Sequence, residues 1–243
     1  MKKSPVFLLL TMLAGLASAQ ARIITPEITG LISADGKGSY QRVLAEAARR
    51  AGVQYTAEFY PKARAVNLFL SGGYDGIFTY TQTARDKFGK EQIIASFPIG
   101  AYRGYVFTLA GSPPVKDFKS LNGKLIGGLL GFEGTYTAIA QAGAQFNLVN
   151  DDNQNIGMLK RGRLFAFLGF LPDLYSELST LSFDPEHPFF EAYDRLTMMN
   201  TPGNRSFVEK MSTAISAMHK DGTIARLLGS AYLPIHGEFP MDK

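Results

Sequence analysis

Tyr74-Asp75-Gly76-Ile77-Phe78-Thr79-Tyr80 follows the turn Ser71-Gly72-Gly73 and is rich in β-branched and aromatic residues, so it predicts a strand. Its neighbours decide what kind of sheet it joins. Upstream, Lys62 to Leu70 predicts a helix and Val53 to Phe59 alternates as a strand. From Tyr40 to Ala51, Val43, Leu44, Ala47 and Ala48 recur at three- to four-residue intervals, with Arg42, Glu46, Arg49 and Arg50 on the other side, which predicts an amphipathic helix. Gly52 stops that helix, and the turn-rich Ser33-Ala34-Asp35-Gly36-Lys37-Gly38 precedes it. Arg22-Ile23-Ile24-Thr25 is a short β-branched run ahead of both. Residues 22–80 therefore read β-α-β-α-β, which favours a parallel sheet with helices on its faces over a sandwich or a bundle.

A second unit of the same kind follows. Arg103 to Leu109 predicts a strand, Gly111-Ser112-Pro113-Pro114 breaks the chain, and Lys124 to Leu130 resumes after Asn122-Gly123. Gly131-Phe132-Glu133-Gly134 then leads into a helix expected to begin near Thr135. Further on, Ile156 to Lys160 predicts a short helix, Arg163 to Phe170 a buried strand and Pro172 to Leu178 a helix. Beyond the Pro-rich stretch 183–188, residues 195–200 return as a strand and Arg205 to His219 has a long amphipathic period. Two α/β lobes of about 110 residues each suit the size of a single core.

The 243-residue chain is 46% hydrophobic and 19% charged, and its mean hydropathy of −0.01 excludes a disordered polymer and a multi-span membrane protein. The net charge is only +4, and Lys2 and Lys3 supply two of those charges, so a nucleic-acid partner is not implied. Absence of cysteine excludes disulfides, zinc thiolates and a thiol nucleophile. Lys2 and Lys3 precede an apolar run from Val6 to Ala17, followed by Ala17-Ser18-Ala19 or Ala19-Gln20-Ala21, the small-x-small pattern that a signal peptidase reads. Residues 1–19 are thus expected to be a signal peptide, cleaved after Ala19 or Ala21. The run is too short for the roughly 20 residues that span a bilayer. A soluble periplasmic protein is the expectation.

Three stretches, taken in order, carry a family resemblance: Gly76-Ile77-Phe78-Thr79-Tyr80-Thr81-Gln82-Thr83-Ala84-Arg85, Gly131-Phe132-Glu133-Gly134-Thr135-Tyr136, and Asp221-Gly222-Thr223-Ile224-Ala225-Arg226-Leu227-Leu228. Together they resemble the periplasmic solute-binding proteins of the family-3, polar-amino-acid type, over nearly the whole chain after the leader. The resemblance implies an α/β, two-lobed venus-flytrap fold with mixed sheets flanked by helices. It places lobe one at 22–104 plus 196–243 and lobe two at 105–195, with the hinge flanked by Arg103-Gly104. By the same resemblance Arg85 grips a ligand carboxylate, a task suited to a guanidinium because it offers two parallel charge-assisted hydrogen bonds. Thr79 and Tyr80 complete the anion's shell, and Gly134 and Thr135 face it from a helix start whose N–H groups attract an anion.

Two departures refine the expectation. The strand Gly162-Arg163-Leu164-Phe165-Ala166-Phe167-Leu168-Gly169-Phe170 ends in a phenylalanine where amino-acid binders of the family usually carry an aspartate for the ligand's ammonium. Asp173, three residues on, can substitute for it if the turn bends inward, but Pro172 just before it favours the first turn of a helix as its setting. Tyr60-Pro61-Lys62-Ala63-Arg64-Ala65 resembles a Pro-x-x-Arg-Ala segment of stand-alone family members without assigned ligands, which implies Arg64 as a second cation at the cleft edge. Tyr40, Tyr80, Phe132, Tyr136 and Phe170 are the candidate apolar walls.

The expected function is capture of a small anionic, amino-acid-like or carboxylate ligand by a monomer, for delivery to an inner-membrane ABC permease. A ligand-sensing adaptor for a membrane receptor is the alternative. Catalytic patterns are thin: His187, His219 and His236 lack metal spacing, and there is no Gly-x-Ser-x-Gly or His-Glu-x-x-His. No cofactor is implied. The one enzyme alternative is a cyclohexadienyl-dehydratase-like reaction, for which Glu133 is the acid to consider.

Overall fold

The computed structural model describes residues 20–28, 31–235, 237 and 239. The expected signal peptide lies outside the described residues. The chain begins with β1 (Ala21–Pro26), α1 (Ser39–Ala51), β2 (Tyr55–Tyr60), α2 (Lys62–Leu70), β3 (Gly76–Phe78), α3 (Thr81–Phe88) and β4 (Ile93–Ala95). It continues with β5 (Gly100–Leu109), β6 (Leu125–Leu129), α4 (Thr137–Gln141), β7 (Gln145–Val149), α5 (Asp152–Lys160), β8 (Ala166–Leu171) and β9 (Leu181–Ser182). It ends with β10 (Phe190–Asp194), β11 (Leu196–Met199), α6 (Pro202–Lys220) and α7 (Thr223–Leu228).

These strands form two mixed sheets. The first has the order β2-β1-β3-β11-β4, with β1 parallel to β2 and β3 and with β11 antiparallel to both its neighbours. The second has the order β10-β5-β8-β6-β7, parallel only across β8, β6 and β7. The β-α-β-α-β reading of 22–80 thus matches β1 to β3. Between the sheets the chain passes twice, at 96–99 and at Arg195, and the passages lie side by side: Ser96 N donates to Leu196 O and Ile99 N to Asp194 O. Residues 100–104, expected with the first lobe, pair in the second sheet.

Local sequence explains the elements that hold the site. In α1, Tyr40, Val43, Leu44, Ala47 and Ala48 are buried against the first sheet with α6 and α7, as their spacing requires. Gly52 ends the helix in the left-handed region, φ 62°, where only glycine is free of a Cβ penalty. Its α6 counterpart starts with Thr201 accepting from Asn204 N and Pro202 at the first helical position. Helices α2 and α3 cover the other face of the first sheet, around Ala65, Phe69 and Ala84. The second sheet is also packed on both faces, by a cluster around Phe107 and Phe167 and by one around Ile126 and Phe170. Gly104 is needed in β5 because a Cβ there would stand 2.5 Å from the Phe189 ring and 3.0 Å from Phe170.

Two expected helices take another form. After β8, Pro172 to Leu178 makes only a tight turn with a single 3-10 segment at Tyr175–Glu177, since Leu174 N bonds back to Phe170 O and Tyr175 N to Pro172 O while Leu174 fills the core. Near Thr135 the chain also forms a 3-10 turn, Glu133–Thr135, and the α-helix that follows has five residues.

Candidate functional site

The end of β3 sets the site. Beyond Phe78, Thr79 and Tyr80 are both left-handed, φ 60° and 57°, an unusual conformation for two successive residues with side chains. Specific bonds hold them there: Thr79 N donates to Arg195 O at 2.7 Å, and Thr79 Oγ1 donates to Asp194 Oδ1 at 2.8 Å. Helix α3 then begins, with Thr81 Oγ1 bonded to Thr197 Oγ1 at 2.7 Å and Ala84 buried on the sheet. This brings Arg85, half-buried, to the wall of a cavity of about 590 Å³. Thr79, Tyr80, Thr83, Tyr193, Arg195 and Phe239 line it as well. Among the described residues, two arginines and three aromatic rings line the cavity.

Carboxylates lie next to it. Asp194, buried at the last position of β10, accepts from Tyr40 Oη at 2.7 Å as well as from Thr79. Burial raises its pKa, and the two hydroxyl donors oppose the rise. Asp173 keeps access to solvent but is crowded by protein, with Tyr102 Oη 3.4 Å from its Oδ2. Crowding and the charge of Asp194 raise its carboxyl to about 6, against the opposing effects of the Lys62 charge and the Tyr102 hydroxyl. Asp152, at the start of α5, is also raised to about 6 by desolvation and by Asp173. Burial pushes the phenols of Tyr80 and Tyr102 up, and the negative charges of Asp173 and Asp194 add to it. Tyr80 is thus a member of both groups: it lines the arginine cavity and feels the carboxylates.

Lys62 is a residue that the sequence reading missed. Its Nζ lies 5.9 Å from the Tyr80 ring centre and 5.3 Å from that of Phe132, so it spans from the first sheet's helix to a loop of the second. Arg64, the expected second cation, is exposed and lies over the Tyr60 ring at 5.0 Å instead. Helical geometry accounts for the exchange: positions two apart on a helix point to nearly opposite sides, so 62 and 64 cannot both face Phe132. The Pro61-Lys62-Ala63-Arg64 segment did contain the signal, two residues away.

Other expected residues are placed differently. Tyr40, Tyr136 and Phe170 are 1%, 2% and 1% exposed, so they belong to the packed interior and not to an open wall. Tyr136 Oη is occupied by the Leu129 backbone, and Phe170 stacks on Tyr102 at 4.9 Å and 6°. Gly134 and Thr135 lie in a 3-10 turn rather than at an α-helix start, and Thr135 uses its N–H and its hydroxyl on Phe132 O. Phe132 remains half-buried beside Lys62, and Glu133 is exposed. Asp173, expected as a helix-start partner, faces Tyr102. Among the described residues no group of three or more His, Cys, Asp or Glu could hold a metal ion.

Neither a family model nor a curated relative matches the sequence. Solved structures do. The L-cystine solute receptor of Neisseria gonorrhoeae in its unliganded open conformation superposes with a TM-score of 0.66 at 19% identity, over 88% of this chain and 92% of that one. The second substrate-binding domain of GlnP from Lactococcus lactis gives 0.66 at 15% identity, over 87% and 94%. The chain has the two-lobed periplasmic-binding-protein fold. The same fold is present in the periplasmic domain of BvgS from B. pertussis, matched at 0.67 and 16% identity over 87% of this chain and 43% of that one. Within this binding-protein fold, Thr79, Asp194 and Arg195 lie at the passage between the sheets, and Lys62 meets Phe132 across them. Among the described residues no helix is long and apolar enough to cross a membrane.

Proposed function

We propose that this is an exported, monomeric solute-binding protein that closes its two lobes on a small amino-acid-like ligand and delivers it to an ABC permease of the inner membrane. The lobes are centred on the two sheets, with the hinge at 96–99 and Arg195. One observation carries the reading: Thr79 and Tyr80 line the cavity with Arg85 and Arg195, while Thr79 donates to Asp194 and the Tyr80 phenol feels the charges of Asp194 and Asp173. Arg85 takes the ligand's carboxylate as a charge-assisted pair. Asp173 supplies the negative charge for an ammonium that Phe170 cannot provide. Closure is favoured because the ligand contacts both lobes only when they approach. An acidic cluster beside a guanidinium cavity suits a zwitterion better than a doubly anionic solute.

A thermal-shift screen over L-amino acids, primary amines and mono- and dicarboxylates tests this. Zwitterionic amino acids are expected to stabilise the protein, by about 2.7 kcal/mol at a hundredfold excess over Kd. The amine or the acid alone should stabilise it less. Equal stabilisation by the simple amine, or by the acid, would contradict the assignment. The likeness to the BvgS periplasmic domain favours a second reading, a ligand-sensing adaptor for a membrane receptor. Loaded protein that stimulates ATP hydrolysis by a reconstituted permease supports transport; binding to a receptor's periplasmic domain supports sensing.

A further inference from the structure

Beyond the end of α7 the chain does not stay on the first lobe's core. Tyr232 packs against the first sheet's cluster, while the next residue, Leu233, packs against the second sheet's. Pro234 O then accepts from Arg103 Nη2, whose guanidinium is held from its other side by Glu191. Arg103 is only 6% exposed, so this anchor is a fixed one. Further along, Phe239 comes to the passage between the lobes. Its ring meets Tyr193 edge-on at 4.6 Å and 71°, and Phe97 at 5.8 Å and 80°, with the Arg195 guanidinium 5.2 Å from its centre. The tail therefore touches both cores and both crossings, and it presents Phe239 to the cavity that Arg85 lines.

We propose that Phe239 completes the ligand site: it is a binding residue that selects, among carboxylates, those joined to an aromatic or broad apolar body. The proposal rests on the reading that the Arg85 cavity takes a ligand, and deepens it by naming the ligand's other half. The cavity lining is chemically mixed. Arg85 and the threonines of α3 offer groups suited to a carboxylate, and Phe239 and Tyr193, in edge-on contact with each other, add aromatic surface to the same lining. Contacts with Tyr193 and Phe97 immobilise the Phe239 ring, so little ordering entropy remains to be lost when a flat ligand packs on it. A small aliphatic carboxylate could meet Arg85 but would leave the aromatic surface wet.

Calorimetry on the full chain with two matched pairs, L-phenylalanine against L-alanine and phenylacetate against acetate, tests it. Wild type is expected to prefer the aromatic member by about tenfold, as one good ring contact allows. Phe239→Ala should reduce that ratio to about threefold or less, and Phe239→Leu should keep part of it. A purely structural role would weaken all probes together and leave the ratio intact. Retention of the wild-type ratio in Phe239→Ala overturns the proposal, as does a wild type without preference. Binding of none of the four by wild type is a failure of the amino-acid-like reading itself, and the role of Phe239 falls with it.

Discussion

The Tyr40 phenol donates to Asp194 Oδ2 at 2.7 Å, which ties helix α1 of the first half to the last residue of the strand that leaves the second. The bond also gives a buried carboxylate one of its two hydroxyl donors; Thr79 is the other. Tyr40→Phe removes that donor without changing ring volume. It should cost about 1–3 kcal/mol of stability in urea denaturation, the range for leaving a buried polar group under-satisfied. An unchanged midpoint and slope would show that Asp194 does not depend on the phenol.

Asp173 and Asp152 give a pH dependence with a defined sign. Both have folded-state values near 6, above the usual carboxylate range, so their contribution to stability is complete below about 4 and is lost as pH rises through about 6. Asp173→Asn should therefore match wild type near pH 4 and exceed it at pH 7. The gain should be of order 1 kcal/mol, reduced by the residue's contact with solvent, or about 2–4 °C in melting temperature. Ligand affinity should run the other way. An ammonium needs the ionised carboxylate, so amino-acid binding should weaken as pH falls below 6, and scanning calorimetry with titrations at several pH values checks both trends.

Lys62→Met keeps the aliphatic stem and removes the charge that faces Phe132, Tyr80 and Asp173. Because the side chain is exposed, the loss of stability should stay within about 1 kcal/mol. The informative change is elsewhere: the Asp173 carboxyl should titrate at a still higher pH, read by carbon-detected NMR. An unmoved midpoint would mean that Lys62 does not act on it.

Two glycines separate packing from binding. Gly104→Ala places a Cβ against Phe189 and should destabilise by about 1–3 kcal/mol, the usual cost of overpacking. A Cβ added at Gly134 would meet nothing within 4 Å, and the residue has no positive φ, so Gly134→Ala should leave both folding and ligand affinity unchanged. A large loss of affinity in Gly134→Ala would restore that loop as a close-approach anion site.

Periodicity made α1 and α2 legible, because their apolar residues recur on one face and Gly52 or Ser71 follows directly. β4, β7 and β10 were not, since three to five residues carry little pattern and their pairing is decided by distant partners: β10 is placed by β5, nearly ninety residues earlier in the chain. Arg85, Thr79 and Tyr80 were singled out as candidates by the order of the family-like stretches, and all three line one cavity. Lys62, Tyr102 and Phe239 were not. Each becomes a site residue only through tertiary approach: across the lobes for Lys62, by stacking on Phe170 for Tyr102, and by the tail's return for Phe239. Aromatic residues were the hardest to sort, because burial in a core and exposure in a cleft favour the same side chains. Tyr40, Tyr136 and Phe170 went to the core.

The central claim is that a ligand is held between the Arg85 guanidinium and the Asp173 carboxylate. Calorimetry of the best amino-acid ligand and of its deaminated analogue, on wild type, Arg85→Ala and Asp173→Asn, tests it most directly. Arg85→Ala should weaken both compounds about tenfold to a hundredfold, as expected for loss of a hydrogen bond to a charged group. Asp173→Asn should weaken the amino acid by a comparable factor and leave the analogue unaffected. Arg85→Ala binding the amino acid as tightly as wild type, or Asp173→Asn affecting both compounds equally, would contradict the account.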